Sequence, residues 1–407
     1  MKKLLVLVLR GTGILGKFLL SFLITKKISL DFQGTFSLVS TTVTLLVLFY
    51  GLDFYVYSNK LIIQNKEQAT FYLKNNLFFY FSLYLVFTPL IYVLAKLFLN
   101  DFSFSISLLV LVVIFEHLGQ EFFRMFIALK RVYFANLLLF LRTGLWAILT
   151  VLYLWFAEKI KISINDLLIV WAMSSGLTVA LSFIIFPNVK KLFKEKLDIK
   201  WIKKGVNVAS QMFLATIFLK VIEFSDRYLI DYFYDKEYVG IYTFYFQLAN
   251  LSNVIIFTLY ISFLYPELIN SIYVRNEVST KRLQQEIRNK TIIVTIGLSL
   301  IYALLLPVLL RFVERPVLNN YSWLLYGLLL GNLFLNLSYA WHYSLIGYNR
   351  EIKILKVTFI GFVFSLTLNL FLIKAIGIWG AVLSQILSGL LMFFLKRREA
   401  KIYLHDR

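Results

Sequence analysis

The chain has 407 residues, of which 60% are hydrophobic, 18% aromatic and only 16% charged, with a mean hydropathy of +0.77. A soluble domain is about 45–50% apolar and about 25% charged, so this composition excludes one and describes a polytopic membrane protein. Cysteine is absent and the three histidines, His117, His342 and His405, are scattered, which excludes a disulfide framework, a thiolate site and a zinc motif of the usual spacing.

About 20 apolar residues carry a helix across about 30 Å of hydrocarbon, and runs of that length predict an all-α chain of about twelve spans. The first, 4 to 25, has a basic start like that of a signal peptide, but Arg10 interrupts its apolar core and no small-residue cleavage site follows. It is therefore expected as a retained span, with Arg10 and Lys17 seven residues apart on one face. Gly13 between them either opens room for a ligand or lets a neighbouring helix approach. The second span, 33 to 56, runs off into GLDFYVYS, which places Asp53 at its cytoplasmic end. After a third at 75 to 99, the fourth, 104 to 129, stacks His117, Glu121 and Arg124 at i, i+4 and i+7. In the fifth, 132 to 156, Arg142 stands in the middle with no acid within a turn, and the sixth covers 166 to 187.

The densest basic run, NVKKLFKEKLDIKWIKKG at 188 to 205, falls near the midpoint. It predicts an N-terminal six-helix bundle over 1–187, a basic cytoplasmic linker over 188–204 and a C-terminal six-helix bundle over 205–407. The seventh span, 205 to 230, contains EFSDRY and places Lys220, Glu223 and Arg227 on one face, with Asp226 beside them. An eighth at 238 to 264 precedes a cytoplasmic stretch, 266 to 290, whose Leu268, Ile272, Leu283 and Ile287 predict a short interfacial helix. Four spans follow at 291 to 312, 321 to 346, 354 to 374 and 377 to 395.

Lysine and arginine accumulate in short cytoplasmic loops. With the N-terminus inside, 27 of the 42 basic residues fall on the cytoplasmic side and 9 on the other, so both termini are expected to be cytoplasmic. The net charge of +20 follows from this topology and from attraction to anionic headgroups, without nucleic acid as a partner. The six remaining basic residues, Arg10, Lys17, Arg124, Arg142, Lys220 and Arg227, lie within spans. Facing lipid, they would together cost on the order of 15 kcal/mol, so they must face protein or water. Two readings stay open: neutral pairs between helices, such as Glu223 with Arg227 and Glu121 with Arg124, or an anion site. Arg10, Lys17 and Arg142 have no acid within a turn, so a ligand is their expected counter-ion unless another helix supplies one. On that reading Arg142→Ala should fold and lose transport, and Arg142→Lys should keep part of it. Asp53, Glu121, Glu223 and Asp226 are candidate gating or ion-coupling acids. No catalytic residue, metal site or cofactor is expected, and coupling to protons or sodium is left open.

The basic first span with its glycines, GLDFYVYS, SDRYLI followed by YVGIYTFYFQLAN, and the late GIWGAVLSQILSG resemble the polysaccharide and O-antigen lipid-linked oligosaccharide flippases of the multidrug/oligosaccharidyl-lipid/polysaccharide exporter superfamily, over essentially the whole chain. The resemblance implies two six-helix bundles around a central cationic cavity. It also implies alternating access that moves an undecaprenyl-diphosphate-linked repeat unit from the cytoplasmic to the periplasmic leaflet of the bacterial inner membrane. Its expected partners are that lipid-linked oligosaccharide, membrane lipids and other polysaccharide assembly proteins, with the chain itself a monomer. A diphosphate suits such a cavity, because arginine matches phosphate oxygens bidentately and lysine as a point charge. A membrane polysaccharide polymerase or a polyprenyl-sugar-dependent glycosyltransferase would call for a sizeable outer loop. The outer loops here are short, with scattered acids such as Asp101 and Glu158. A drug exporter of the same superfamily would favour acids over basic residues in its cavity, and a peptidoglycan-precursor flippase about fourteen spans.

Overall fold

The computed structural model describes residues 2–98, 104–157 and 161–405; Asp101 and Glu158 lie outside them. The fold is 91% helical, as it must be where no water is available to satisfy backbone N–H and C=O groups. In order the helices are α1 (Lys2–Lys27), α2 (Leu30–Gly51), α3 (Tyr55–Gln64), α4 (Ala69–Phe98), α5 (Ile106–Ala128), α6 (Val132–Phe140), α7 (Trp146–Phe156), α8 (Ile164–Ile185), α9 (Ile199–Phe233), α10 (Lys236–Ile256), α11 (Ser262–Tyr273), α12 (Glu277–Val313), α13 (Leu324–Gly347), α14 (Glu351–Ile376) and α15 (Ile378–His405). A π-helical turn, Leu141–Leu145, joins α6 to α7 as one span, and another, Phe257–Ile261, joins α10 to α11. Among the described residues eleven helices are long and apolar enough to cross a membrane, or twelve with α9, which bends by 42° at residue 211.

The chain divides into two compact units, 1–28 with 38–217 and 29–37 with 218–407. The division falls inside α9, because the first part of that helix belongs to the N-terminal core. There Trp201, Ile202, Val206 and Ala209 pack with Phe54, Tyr57, Phe79 and Tyr80. In the first unit α5 lies along α8 and α6, and α1 along α6 and α7. Phe122, Met125, Phe126 and Leu138 anchor its buried interior.

In the second unit α15 packs along α13 and α14, and α13 also meets α10 and α12. The start of α2 crosses the start of α10 at Gly34 and Gly240, where a Cβ on either would overlap a backbone carbonyl, of Lys236 or Leu30. Ser37 and Thr243 hydrogen-bond beside the crossing at 2.8 Å. The 266–290 stretch differs from expectation. Instead of a separate interfacial helix, α11 and α12 run through this stretch and meet at a turn where Arg275 takes a left-handed φ of 57°. Leu268, Ile272, Leu283 and Ile287 are buried against one another and Ala340, so their helical spacing records a core.

Candidate functional site

In the first unit the spans hold two buried polar clusters, both built on α5. Residues 116 and 117 point to different sides of a helix, and each begins one cluster.

The first surrounds Arg142. The π turn at Leu141–Leu145 turns this side chain inward, where Nη1 donates to Glu116 Oε2 at 2.7 Å, with both side chains 9% exposed. Glu116 Oε1 accepts from Trp171 Nε1 at 2.6 Å and from Ser175 Oγ at 2.9 Å. Gly119 leaves the passage for the arginine, since a Cβ there would come 2.7 Å from Arg142 Cδ. The Trp171 ring stacks on Trp146 at 4.7 Å and 13°. This corrects the expectation that a ligand neutralises Arg142: the acid comes from a helix 26 residues away, out of reach of any same-helix spacing rule. Glu116 is the residue that sequence reasoning missed. Its signal was a second acid in the fourth span, off the His117–Glu121–Arg124 face, which in a membrane demands a buried partner.

The second cluster surrounds Glu121, which accepts from Arg124 Nη1 at 2.6 Å and from the Tyr80 hydroxyl at 2.6 Å. The Arg124 guanidinium lies 3.5 Å from the centre of the Tyr55 ring. His117 Nδ1 meets the Tyr84 hydroxyl at 2.5 Å, and its buried Nε2 has no hydrogen-bond partner and faces Gly51. Asp53 does not continue the second helix. The helix stops at Gly51, and Leu52 and Asp53 both take left-handed backbones (φ 46° and 51°), a conformation that costs a non-glycine residue of order 1–2 kcal/mol. The break buries Asp53 within electrostatic range of Arg124 and Tyr55.

Arg10 and Lys17 differ from these. Both side chains are exposed; Arg10 Nε donates to Asn136 Oδ1, and Lys17 Nζ lies 6.0 Å from the Trp146 ring. Among the described residues neither has an acid within ion-pair distance. Gly13 is buried against Gly144, so of its two readings the structure takes close helix approach.

In the second unit Lys220 pairs with Glu223 at 2.6 Å, half-exposed. Arg227 pairs with Asp226 at 3.1 Å instead of with the Glu223 carboxylate, from whose residue it takes only the backbone carbonyl at 3.0 Å. Its guanidinium also lies 4.2 Å from the Phe246 ring. Asp226 Oδ2 accepts from the Tyr242 hydroxyl. The pairing differs from expectation because a fully buried arginine takes the fully buried acid, leaving the exposed one to lysine. Of the six basic residues four therefore form ion pairs; among the described residues the two on α1 do not, though Lys17 lies within electrostatic range of Glu116.

No group of three or more His, Cys, Asp or Glu side chains able to hold a metal occurs among the described residues. No family model matches the chain, and no curated protein matches it. Solved structures that match in fold include two transporters. One is the inward-facing conformation of a multidrug resistance MATE family transporter of the MOP superfamily, with a TM-score of 0.73 and 12% identity, covering 96% of this chain and 95% of that one. The other is the lipid II flippase MurJ in an inward closed conformation, with a TM-score of 0.75 and 15% identity, covering 98% of this chain and 87% of that one. The chain has the fold these two transporters share. At such identity the likeness speaks of fold alone.

Proposed function

We propose that the protein is a flippase that moves an undecaprenyl-diphosphate-linked oligosaccharide from the cytoplasmic to the periplasmic leaflet of a bacterial inner membrane by alternating access, for O-antigen or other surface polysaccharide. The observation that carries this reading is the pair Arg10 and Lys17: two exposed cations within a span, seven residues apart and in no ion pair, the acid nearest in effect to Lys17, Glu116, being already held by Arg142. Cations so placed call for an anionic ligand, and a diphosphate with many acceptor oxygens suits an arginine and a lysine together. Arg124, Arg142, Lys220 and Arg227 then contribute to the field while already held by their own acids. Asp53, Glu121, Glu223 and Asp226 are the candidate acids for coupling to a proton or sodium gradient.

The fold of the lipid II flippase supports a lipid-linked substrate; that of the MATE transporter supports the exporter reading. The cations on α1 favour the first, since a cationic drug would be repelled there. The test is leaflet accessibility of a fluorescent undecaprenyl-diphosphate oligosaccharide in reconstituted vesicles, with and without an ion gradient. Protein-dependent appearance of the probe in the opposite leaflet supports the proposal. Transport of cationic dyes without movement of the lipid would replace it with export.

A further inference from the structure

Away from both polar clusters, the first unit carries a groove of about 750 Å³ between α7 and α8, within the size range of ligand pockets, about 300–1,000 Å³. Its floor and walls are apolar, with Leu149, Val170, Met173 and Leu177 among them. Met173 is 70% exposed, on a membrane-spanning helix. The three hydroxyls along the groove are already used within the protein: Thr150 donates to the Trp146 carbonyl at 2.8 Å, Ser174 to that of Leu141 and Tyr153 to that of Lys161 at 3.5 Å. The interior therefore asks for hydrocarbon and nothing polar.

The mouth is different. Lys161 and Asp166 both border the groove and are exposed, and no ion pair joins them. Asp166 Oδ2 closes the cap of α8, accepting from the Ser163 N–H and Oγ at 2.7 Å each, which leaves Oδ1 free. Lys161 Nζ has no partner among the described residues. An apolar slot that opens on one free cation and one free carboxylate oxygen complements a zwitterionic headgroup above an acyl chain. We infer that this groove binds an aminophospholipid of the phosphatidylethanolamine type, with an acyl chain along Leu149 and Met173, its phosphate at Lys161 and its primary ammonium at Asp166. The choice among phospholipids rests on the headgroup: a trimethylated ammonium cannot donate to Asp166, and a glycerol headgroup has no charge to offer it.

The test is lipid retention by the purified full chain, measured by native mass spectrometry during titration with dioleoyl phosphatidylethanolamine, phosphatidylcholine or phosphatidylglycerol. Phosphatidylethanolamine is expected to bind about tenfold more tightly than the other two, the size of one charge-assisted hydrogen bond. Asp166→Asn keeps a cap acceptor and should erase that preference; Lys161→Gln should weaken all three lipids. Leu149→Trp, at a position 48% exposed, should fill the slot and remove the site while the protein remains folded. Equal binding of the three lipids by the wild type would overturn the inference, as would a preference that survives both Asp166→Asn and Leu149→Trp. Displacement of the phospholipid by undecaprenyl phosphate at equal concentration would also overturn it, assigning the groove to a polyprenyl tail.

Discussion

Arg142 and Glu116 face each other at 2.7 Å with both side chains buried, and Trp171 and Ser175 donate to the same carboxylate. Removing one member of such a pair strands a charge in a low-dielectric interior, which costs about 3–5 kcal/mol. Arg142→Ala is therefore expected to lower the amount of folded protein and its thermal midpoint in detergent, the reverse of what an unpaired arginine would do. Arg142→Met combined with Glu116→Gln should recover most of that loss, because a glutamine oxygen still accepts from Trp171 and Ser175 and no charge is left behind. Thermal stability of the single and double variants by fluorescence-detected size exclusion reads this out. A single Arg142→Ala as stable as the wild type would show that the pair does not hold the helices together.

The crossing of α2 and α10 admits no side chain at Gly34 or Gly240, since each faces a backbone carbonyl that cannot rotate away. Gly240→Ala should force the helices apart and cost about 1–3 kcal/mol, as overpacking does. Gly297 in α12 has nothing within 4 Å of an added Cβ, so Gly297→Ala should be neutral or stabilising by up to about 1 kcal/mol through helix propensity. Thermal midpoints of the two variants, compared side by side, test the crossing. Equal midpoints would mean that the helices separate without cost.

The spans are legible in the sequence because their lengths and apolar runs answer to bilayer thickness alone. Partnerships on one helix are nearly as legible, and Glu121 with Arg124 is one. Glu116 with Arg142 is not, because it depends on how α5 and the π turn before α7 face each other, which periodicity along either helix does not encode. The break at Leu52 and Asp53 is hidden for a related reason. Leu52 does not favour a left-handed backbone, and although aspartate tolerates one, two such residues in a row are held by what surrounds them, with Phe54 buried among Phe79, Tyr80 and Trp201. The sequence pairs Glu223 with Arg227, four residues apart, yet in the fold Glu223 goes to Lys220 and Arg227 to Asp226.

Topology is open to a direct measurement. If both termini are cytoplasmic, reporter fusions in the basic segment at 188–197 and at the α11–α12 turn should report the cytoplasm. Those at 161–163 and at the Pro316–Tyr321 turn should report the other side. The basic residues concentrated near the first two positions are the physical reason, because lysine and arginine resist translocation. Opposite reporter signals at 188–197 would invert every leaflet assignment, the direction of flipping included.

Arg10 and Lys17 supply the sharpest test of the transport reading. Both are exposed and form no ion pair, and Glu116, within electrostatic range of Lys17, keeps Arg142 as its partner, so replacing them strands no carboxylate; surface substitutions of this kind usually change stability by no more than about 0.5 kcal/mol. Arg10→Ala does leave the Asn136 oxygen without one donor, so Lys17→Ala is the cleaner of the two. A charge-assisted hydrogen bond to a diphosphate contributes about 1.5–3 kcal/mol, so each alanine variant should slow flipping by about tenfold to a hundredfold at unchanged abundance. Arg10→Lys, which keeps the charge but loses the bidentate fork, should fall between alanine and wild type. The assay is leaflet accessibility of the lipid-linked oligosaccharide in vesicles, normalised to reconstituted protein. Wild-type rates for the Arg10→Ala, Lys17→Ala double variant would remove α1 from the headgroup site. Because four of the six basic residues already have acids of their own, that result would leave no free cation on the predicted set to receive the diphosphate.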